Sequence, residues 1–306
     1  MQLLALFLLA SSMNFSQQVF DMESKLLIMK EVKVASFDEV IIRAYSPNTA
    51  LNKEYLIIVL PLATRPSFIE ASVNYLSRKY NVITWESRLI LEPDVELTNK
   101  ETISIESNIK DLDIILDYLN ISSAFMIGYC SGAATALHIA ASKHNTRIQK
   151  MALINGAYFM NKYDCDITQY EQDILGLMPQ IAANYNQALY FFTKFFKNSP
   201  LFKDYEHEFV EDVYRPYDNV DSFYRFGIGL NNFIVSDLKA LAREIKIPTL
   251  VASCKLDKQT HYSSSILISS AITYTEMYLN EVGDHYEFCR AKPELMERIF
   301  NFFQKP

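Results

Sequence analysis

The sequence AFMIGYCSGAATALHIAA occupies residues 124–141 and decides the fold. A short apolar run ends in Gly128-x-Cys130-x-Gly132, and an alanine-rich segment follows. This pattern predicts a buried strand, a sharp turn and a helix, with Cys130 lifted at the turn in a strained backbone conformation. A side chain at either glycine would collide with the crowded strand–helix junction. The stretch has the form of a nucleophile elbow, with sulfur at the position where most such elbows carry a serine oxygen.

Two interpretations of Cys130 remain open on this motif alone. A buried cysteine ahead of a helix is often a small core residue with no chemical role. The N-terminus of a helix, however, adds positive potential, which favours a thiolate and any oxyanion that forms beside it. The choice between the two depends on whether the rest of the chain supplies partners for the sulfur.

The composition excludes several classes of function. The chain has 306 residues, a net charge of −7 and no basic run, so nucleic acid is not an expected partner. It contains neither a glycine-rich phosphate loop nor metal-type His/Cys spacing, so no cofactor and no metal are expected. The four cysteines lack paired spacing and read as free thiols in a reducing compartment. They are Cys130, Cys165, Cys254 and Cys289.

The segment 1–24 begins with the apolar run MQLLALFLLASSM. This run is too short to span a membrane, and it resembles the core of a signal peptide without the usual cationic start. A signal, a surface anchor and a docked helix all stay open. We favour a cytoplasmic protein.

Strands alternate with helices along most of the chain, which predicts an α/β fold with a mostly parallel sheet flanked by helices. The first two predicted strands are expected to form an antiparallel pair at the start of the sheet. The predicted strands are 32–35, 40–45, 55–60, 82–85, 124–129, 150–155, 249–253 and 272–279. The predicted helices outside the insertion are 68–80, 107–120, the segment after Cys130, 237–247 and 294–303.

The alternation of predicted strands and helices stops between residues 157 and 236, which are rich in Tyr, Phe and Asn. Helices are expected at 169–177 and 180–196, with one or two more between 205 and 233. We therefore predict a core of residues 25–156 and 237–306 and a helical cap of residues 157–236. Aromatic residues cluster in the cap, with Phe191 and Phe195 among them. They either pack the cap on the core or line an apolar acyl tunnel.

At this point the chain resembles an α/β-hydrolase. The likeness rests on the elbow, on residues 144–155 after it, on residues 237–250 leading to an acid, and on the loop Gly283-Asp-His285-Tyr. The order nucleophile, acid, histidine matches the family. The cysteine elbow is similar to that of polyhydroxyalkanoate synthases and dienelactone hydrolases. Ala133, where those synthases usually have a third glycine, departs from their pattern.

The resemblance implies a catalytic triad. Cys130 would be the nucleophile, His285 its base, and Asp257 the acid that orients the imidazole. Asp164 and Asp166 are rival acids, because some thioesterase-type members place the acid after the strand that here ends near residue 155.

The resemblance also implies an oxyanion hole made of two backbone N–H groups. One would come from Ser131, and the other from the loop after the third strand, where many relatives have His-Gly and this chain has Pro61-Leu62. Alignment favours Ala63 as the second donor, with Leu62 as the alternative. Tyr129, Phe191 and Phe195 are the expected substrate-binding residues.

These features together predict a cysteine-dependent thioesterase or acyltransferase that works through an acyl-cysteine. The expected partner is an acyl thioester carried by coenzyme A or by an acyl carrier protein. Hydrolysis of an ester or lactone is the first alternative, and a non-catalytic binding protein of the same fold is the second. Self-association into a homodimer stays open.

Overall fold

The computed structural model describes most of the chain after residue 28. The described residues are 29–47, 51, 53–92, 95, 97, 99–142, 146–160, 163, 165–197 and 208–305. The apolar N-terminal segment and Asp164 lie outside them, so both expectations stay predictions.

An eight-stranded sheet forms the centre of the molecule, with strand order β1-β2-β4-β3-β5-β6-β7-β8. Only the pairs β1–β2 and β2–β4 are antiparallel, and the remaining pairs are parallel. The mostly parallel sheet with an antiparallel opening is therefore confirmed. The strands are β1 Met29–Ala35, β2 Ile41–Pro47, β3 Tyr55–Val59, β4 Asn81–Trp85, β5 Ala124–Tyr129, β6 Ile148–Ile154, β7 Thr249–Cys254 and β8 Thr275–Asn280.

Ten α-helices lie within the described residues, and most of them connect consecutive strands or form the insertion between β6 and β7. They are α1 Glu70–Leu76, α2 Ile105–Tyr118, α3 Ser131–Ala141, α4 Gln169–Ala183, α5 Tyr185–Phe195, α6 Val210–Tyr214, α7 Val220–Val235, α8 Leu238–Ala242, α9 Tyr262–Ala271 and α10 Pro293–Gln304.

Three helices differ from the sequence prediction. Helix α8 ends at Ala242, although a helix was expected to continue to the strand at residue 249. Helix α4 continues through Pro179, where a break was expected, and ends instead before Asn184, whose side chain caps α5 by accepting from the Gln187 N–H at 3.0 Å. Pro179 is accommodated inside α4, which packs against α5 and α7. Helix α9 was not predicted, because its sequence YSSSILISSA is serine-rich and lacks a clear apolar stripe.

Apolar side chains fill both faces of the sheet. Along β3, Ile57 and Val59 join one buried cluster, whereas Leu56 and Ile58 join the other. This alternation follows from the two-residue period of a strand, and a strand buried on both faces reads as a continuous apolar run. Helices α2 and α3 cover the first face, and α1 and α10 cover the second. Cys130 contacts both clusters at the end of the central strand β5.

Between β6 and β7 the described part of the chain runs as an irregular segment up to Thr168 and then forms helices α4 to α7. Helices α4, α5 and α7 pack against one another, and the division into a core and a cap of residues 157–236 stays a prediction. The buried Arg225 of α7 donates to the carbonyl oxygens of Glu92 and Val95 at 2.6 and 2.8 Å, and so ties this layer to the loop after β4. Across the described part of the chain, we find no helix with the length and apolar character needed to cross a membrane.

Candidate active site

Cys130 occupies the turn between β5 and α3 with φ 52° and ψ −124°, which is an unfavourable conformation for a residue with a side chain. Backbone hydrogen bonds stabilise this conformation. The Cys130 N–H donates to the Ile154 oxygen at 3.0 Å, and its carbonyl oxygen accepts from Ala133 and Ala157, each at 3.0 Å. The strain is thus held by the adjacent strand and helix, as expected for a nucleophile elbow.

Both elbow glycines are required by close backbone approach. A Cβ at Gly128 would lie 2.7 Å from the Ala133 Cα and 2.7 Å from the Ala136 Cβ. One at Gly132 would lie 2.7 Å from the Leu60 carbonyl oxygen and still closer to that of Val59. The start of α3 therefore rests directly on the end of β3, and only glycine fits there.

Asp257 and His285 meet although 28 residues separate them. Nδ1 of His285 lies 2.7 Å from Oδ2 of Asp257, and both residues are buried. Oδ1 of Asp257 accepts the N–H groups of Gln259 and Thr260 at 2.7 and 2.9 Å, and Oδ2 accepts the Thr260 hydroxyl at 2.9 Å. Four donors hold this carboxylate, so its orientation toward the imidazole is well defined.

The second nitrogen of His285 faces the thiol, since Nδ1 is engaged by Asp257, and the ring hydrogen-bonds Cys130. Burial opposes a charged ring and lowers the pKa of His285. This effect is outweighed by the Asp257 carboxylate, by the Cys130 sulfur and by the hydrogen bonds to both, each of which raises the pKa. The pKa of His285 is therefore raised overall. The arrangement favours an imidazolium beside the sulfur.

Two buried side chains support the loop that carries His285. The Tyr129 hydroxyl donates to the His285 carbonyl oxygen at 2.9 Å. The Asn155 amide donates to the carbonyl oxygens of Asp284 and His285 at 3.2 and 3.0 Å. The prediction that Tyr129 binds substrate is wrong, because its side chain is fully buried beneath the elbow. Sequence reasoning missed Asn155, although a polar residue closing an apolar strand was its signal.

The loop after β3 forms a four-residue turn, closed by the Thr64 N–H donating to the Pro61 oxygen at 3.3 Å. Its third residue, Ala63, has φ 60°. The Leu62 N–H donates to Oγ of Ser131 at 2.9 Å. That bond argues against Leu62 as the oxyanion donor, because its N–H is already engaged. Among the described residues, no protein acceptor is recorded for the Ala63 N–H.

The aromatic residues of the insertion include one tyrosine that is coupled to the site and two phenylalanines on α5. Tyr170 of α4 interacts electrostatically with Cys130, Tyr217 and Tyr286, while burial raises its pKa. Sequence analysis missed Tyr170. Phe191 and Phe195 stack on each other with ring centroids 6.0 Å apart on α5, and Phe195 is 41% exposed. Their role in substrate binding stays a prediction.

Helix α4 is also joined to the acid loop. Oε2 of the buried Glu171 accepts the N–H groups of Thr168 and His261 at 2.9 and 3.0 Å. Burial raises the pKa of Glu171 to about 7. The Thr168 hydroxyl donates to the Gln259 oxygen at 2.9 Å. The cap and the Asp257 loop therefore share a hydrogen-bonded junction next to the site.

The rival acid Asp166 does not take the place of Asp257 beside the histidine. Its side chain is exposed, and its carbonyl oxygen accepts the Ser263 hydroxyl at 2.8 Å. In the part of the chain that the structure describes, no cluster of His, Cys, Asp or Glu could hold a metal ion.

Comparison with known proteins agrees with this geometry. A family model described as alpha/beta hydrolase fold matches residues 65–209. The chain is 26% identical over 264 residues to an L-allo-isoleucyltransferase of Pseudomonas savastanoi pv. glycinea, covering 83% of this chain and 88% of that protein.

Solved structures show the same fold. An enol-lactonase from Burkholderia xenovorans LB400 superimposes with a TM-score of 0.66 at 19% identity, covering 90% of this chain and all of that one. An esterase from Exiguobacterium antarcticum gives a TM-score of 0.69 at 13% identity over 90% of this chain and 100% of that one.

Proposed function

We propose that this chain, which has the α/β-hydrolase fold and is similar to an acyltransferase, transfers acyl groups through a thioester on Cys130. The observation that carries the proposal is the chain of contacts from Cys130 through His285 to Asp257. A sulfur held at a strained elbow beside a buried imidazole–carboxylate pair is an arrangement suited to a nucleophilic cysteine. A protein that only binds a ligand needs none of these contacts.

In the proposed reaction, the Cys130 thiolate attacks the carbonyl carbon of an acyl thioester. The carbonyl electron pair moves to oxygen, and the N–H groups of Ser131 and Ala63 stabilise that oxyanion. When the oxyanion collapses, the carrier thiolate leaves and takes the proton from His285. His285 then removes a proton from water or from a second acceptor, whose attack releases the acyl group and restores the thiolate.

A thioester suits this nucleophile. Exchange of one thiol for another is nearly balanced in energy, whereas alkoxide and amine leaving groups need more proton assistance. The name of the 26% identical relative, an L-allo-isoleucyltransferase, leads us to propose an aminoacyl group as the acyl group.

The test is intact-mass analysis of the full chain after incubation with aminoacyl and fatty-acyl thioesters of N-acetylcysteamine. We expect an aminoacyl adduct that is lost in Cys130→Ala and kept in Cys165→Ala, a matched change at another partly exposed cysteine that forms no disulfide. Addition of water alone or of a second thiol then separates hydrolysis from transfer.

Three results would count against the proposal. An adduct that persists in Cys130→Ala would place the chemistry elsewhere. A preference for fatty-acyl thioesters would remove the aminoacyl assignment. Turnover of simple esters or lactones, equal in wild type and Cys130→Ser, would favour the hydrolase alternative, because sulfur would then have no special role.

A further inference from the structure

We propose that the side chain of Ser131 is a positioning group for the oxyanion hole, in addition to the backbone N–H that this residue supplies. Its Oγ accepts the Leu62 N–H at 2.9 Å, although the two residues are 69 positions apart in the chain. Both residues are buried. This inference rests on the proposed acyl-transfer function, since it concerns how that site handles the oxyanion.

The loop that Ser131 holds is not rigid by its own sequence. The turn at Pro61–Thr64 places Ala63 at φ 60°, in a position that turns of this kind normally give to glycine. The strain at Ala63 costs on the order of 1 kcal/mol or more and favours rearrangement of the turn. Within the turn, the N–H and the hydroxyl of Thr64 both donate to the Pro61 oxygen, at 3.3 and 2.8 Å, and a contact from outside the turn can add to them.

Ser131 supplies that contact from the elbow itself. It is the first residue of α3, and the next residue, Gly132, already lies against the carbonyl groups of Val59 and Leu60. The elbow and the end of β3 therefore approach closely enough for the hydroxyl to reach the Leu62 N–H. This bond fixes the peptide that precedes the Leu62–Ala63 peptide, and so limits how the Ala63 N–H can turn.

The consequence is specific to chemistry that forms an oxyanion. Removing one oxyanion donor outright costs about 10²–10³ in rate. Removal of a group that only positions a donor should cost part of that, so we expect acylation by Ser131→Ala to be about 10- to 100-fold slower. The loss should fall on kcat and leave KM within about twofold, because the oxyanion exists only after attack.

The experiment compares two reactions of the same sulfur. Single-turnover acylation by an aminoacyl thioester passes through an oxyanion, whereas alkylation of Cys130 by iodoacetamide does not. For Ser131→Ala we expect slow acylation and an alkylation rate within about twofold of wild type, which also reports an intact elbow. Ser131→Thr, which keeps a hydroxyl on Cβ, should restore acylation to within about threefold. The control is Ser269→Ala, which removes the hydroxyl of another buried serine. The Ser269 hydroxyl pairs with that of Thr275 at 3.1 Å, so this variant should match wild type in both reactions.

The inference fails if Ser131→Ala acylates at the wild-type rate, or if acylation and alkylation fall together. It also fails if Ser131→Thr is as slow as Ser131→Ala, because side-chain shape and not the hydroxyl would then matter. Failure of the proposed function looks different, since wild type itself would form no adduct on Cys130.

Discussion

Replacement of Asp257 by asparagine tests the proposed triad most directly, because it changes charge and leaves shape. Oδ1 accepts two backbone N–H groups, and Oδ2 faces His285 at 2.7 Å. In Asp257→Asn the amide oxygen keeps the two backbone donors, so the NH₂ group points at Nδ1. A neutral imidazole must then carry its proton on the nitrogen that faces Cys130, where it cannot act as a base.

The magnitude follows from the burial of the pair. Both side chains are nearly inaccessible to solvent, with side-chain exposures of 4% for His285 and 0% for Asp257. Two unit charges about 4 Å apart attract by about 4 kcal/mol at an effective dielectric constant of about 20. At 1.36 kcal/mol for each tenfold change, this attraction corresponds to a factor of about 10³ in the imidazolium dissociation constant. We therefore expect acylation at pH 7 to fall by about 10³–10⁴, since the lost attraction gives about 10³ and a wrong histidine tautomer costs about 10⁴ in a triad.

The measurement is the single-turnover acylation rate from pH 5 to 10, with alkylation of Cys130 in parallel. Asp257→Asn should alkylate slowly at pH 7 and recover at high pH, because loss of the carboxylate lowers the pKa of His285 and removes the charged ring. Asp237→Asn is the matched control, since this carboxylate caps α8 at 2.9 Å and lies outside the site. An Asp257→Asn rate within tenfold of wild type, with an unchanged pH profile, would refute the assignment of Asp257.

Three further predictions concern the frame around the site. Gly132→Ala should lower the free energy of unfolding in urea by roughly 1–3 kcal/mol, because its Cβ would strike the backbone at the end of β3. Its control is Gly176→Ala, which should be neutral or stabilising by up to about 1 kcal/mol because no atom lies within 4 Å of the new Cβ. Equal effects of the two changes would contradict the close approach at Gly132. The pKa of Glu171 is raised from 4.5 to about 7, so its stabilising contribution is complete below pH 4.5 and is lost as the pH rises through 7. Across that window the free energy of unfolding of wild type should fall by about 2–3 kcal/mol relative to Glu171→Gln. Parallel curves of stability against pH for the two proteins would disprove this. Asn155→Ala removes two hydrogen bonds to the loop that carries His285. We expect acylation to be at least about tenfold slower, with KM nearly unchanged. A wild-type kcat would show that this loop is held in place without the Asn155 amide.

Much of the fold followed from local patterns. The continuous apolar runs at β3 and β5 predicted buried parallel strands, and the glycines around Cys130 predicted the elbow, because each constraint acts within a few residues. Helix α9 escaped prediction because its helical state depends on packing against β7 and β8, with which it shares many contacts. The end of α4 was misplaced because a proline normally ends a helix, whereas Pro179 is accommodated inside α4, which packs against α5 and α7.

The candidate site divided in the same way. The nucleophile, acid and histidine could be proposed from their order along the chain, because Cys130, Asp257 and His285 each follow a predicted strand. The role of Tyr129 could not, since the same apolar strand residue can face substrate or core, and only the fold buries it against the His285 backbone. The importance of Asn155 was likewise invisible, because its partners lie about 130 positions away.

The sequence by itself determined that a strained cysteine stands between a buried strand and a helix, in a chain with an acid and a histidine behind it. Tertiary structure decided which groups meet: Asp257 and not Asp166 faces His285, and the Leu62 N–H is engaged by Ser131, which is why we propose Ala63 as the second donor. The physical reason is range. Backbone strain and strand period are local properties that a few residues encode, whereas hydrogen-bond partners 28 or 69 positions apart exist only after the sheet has brought their strands together.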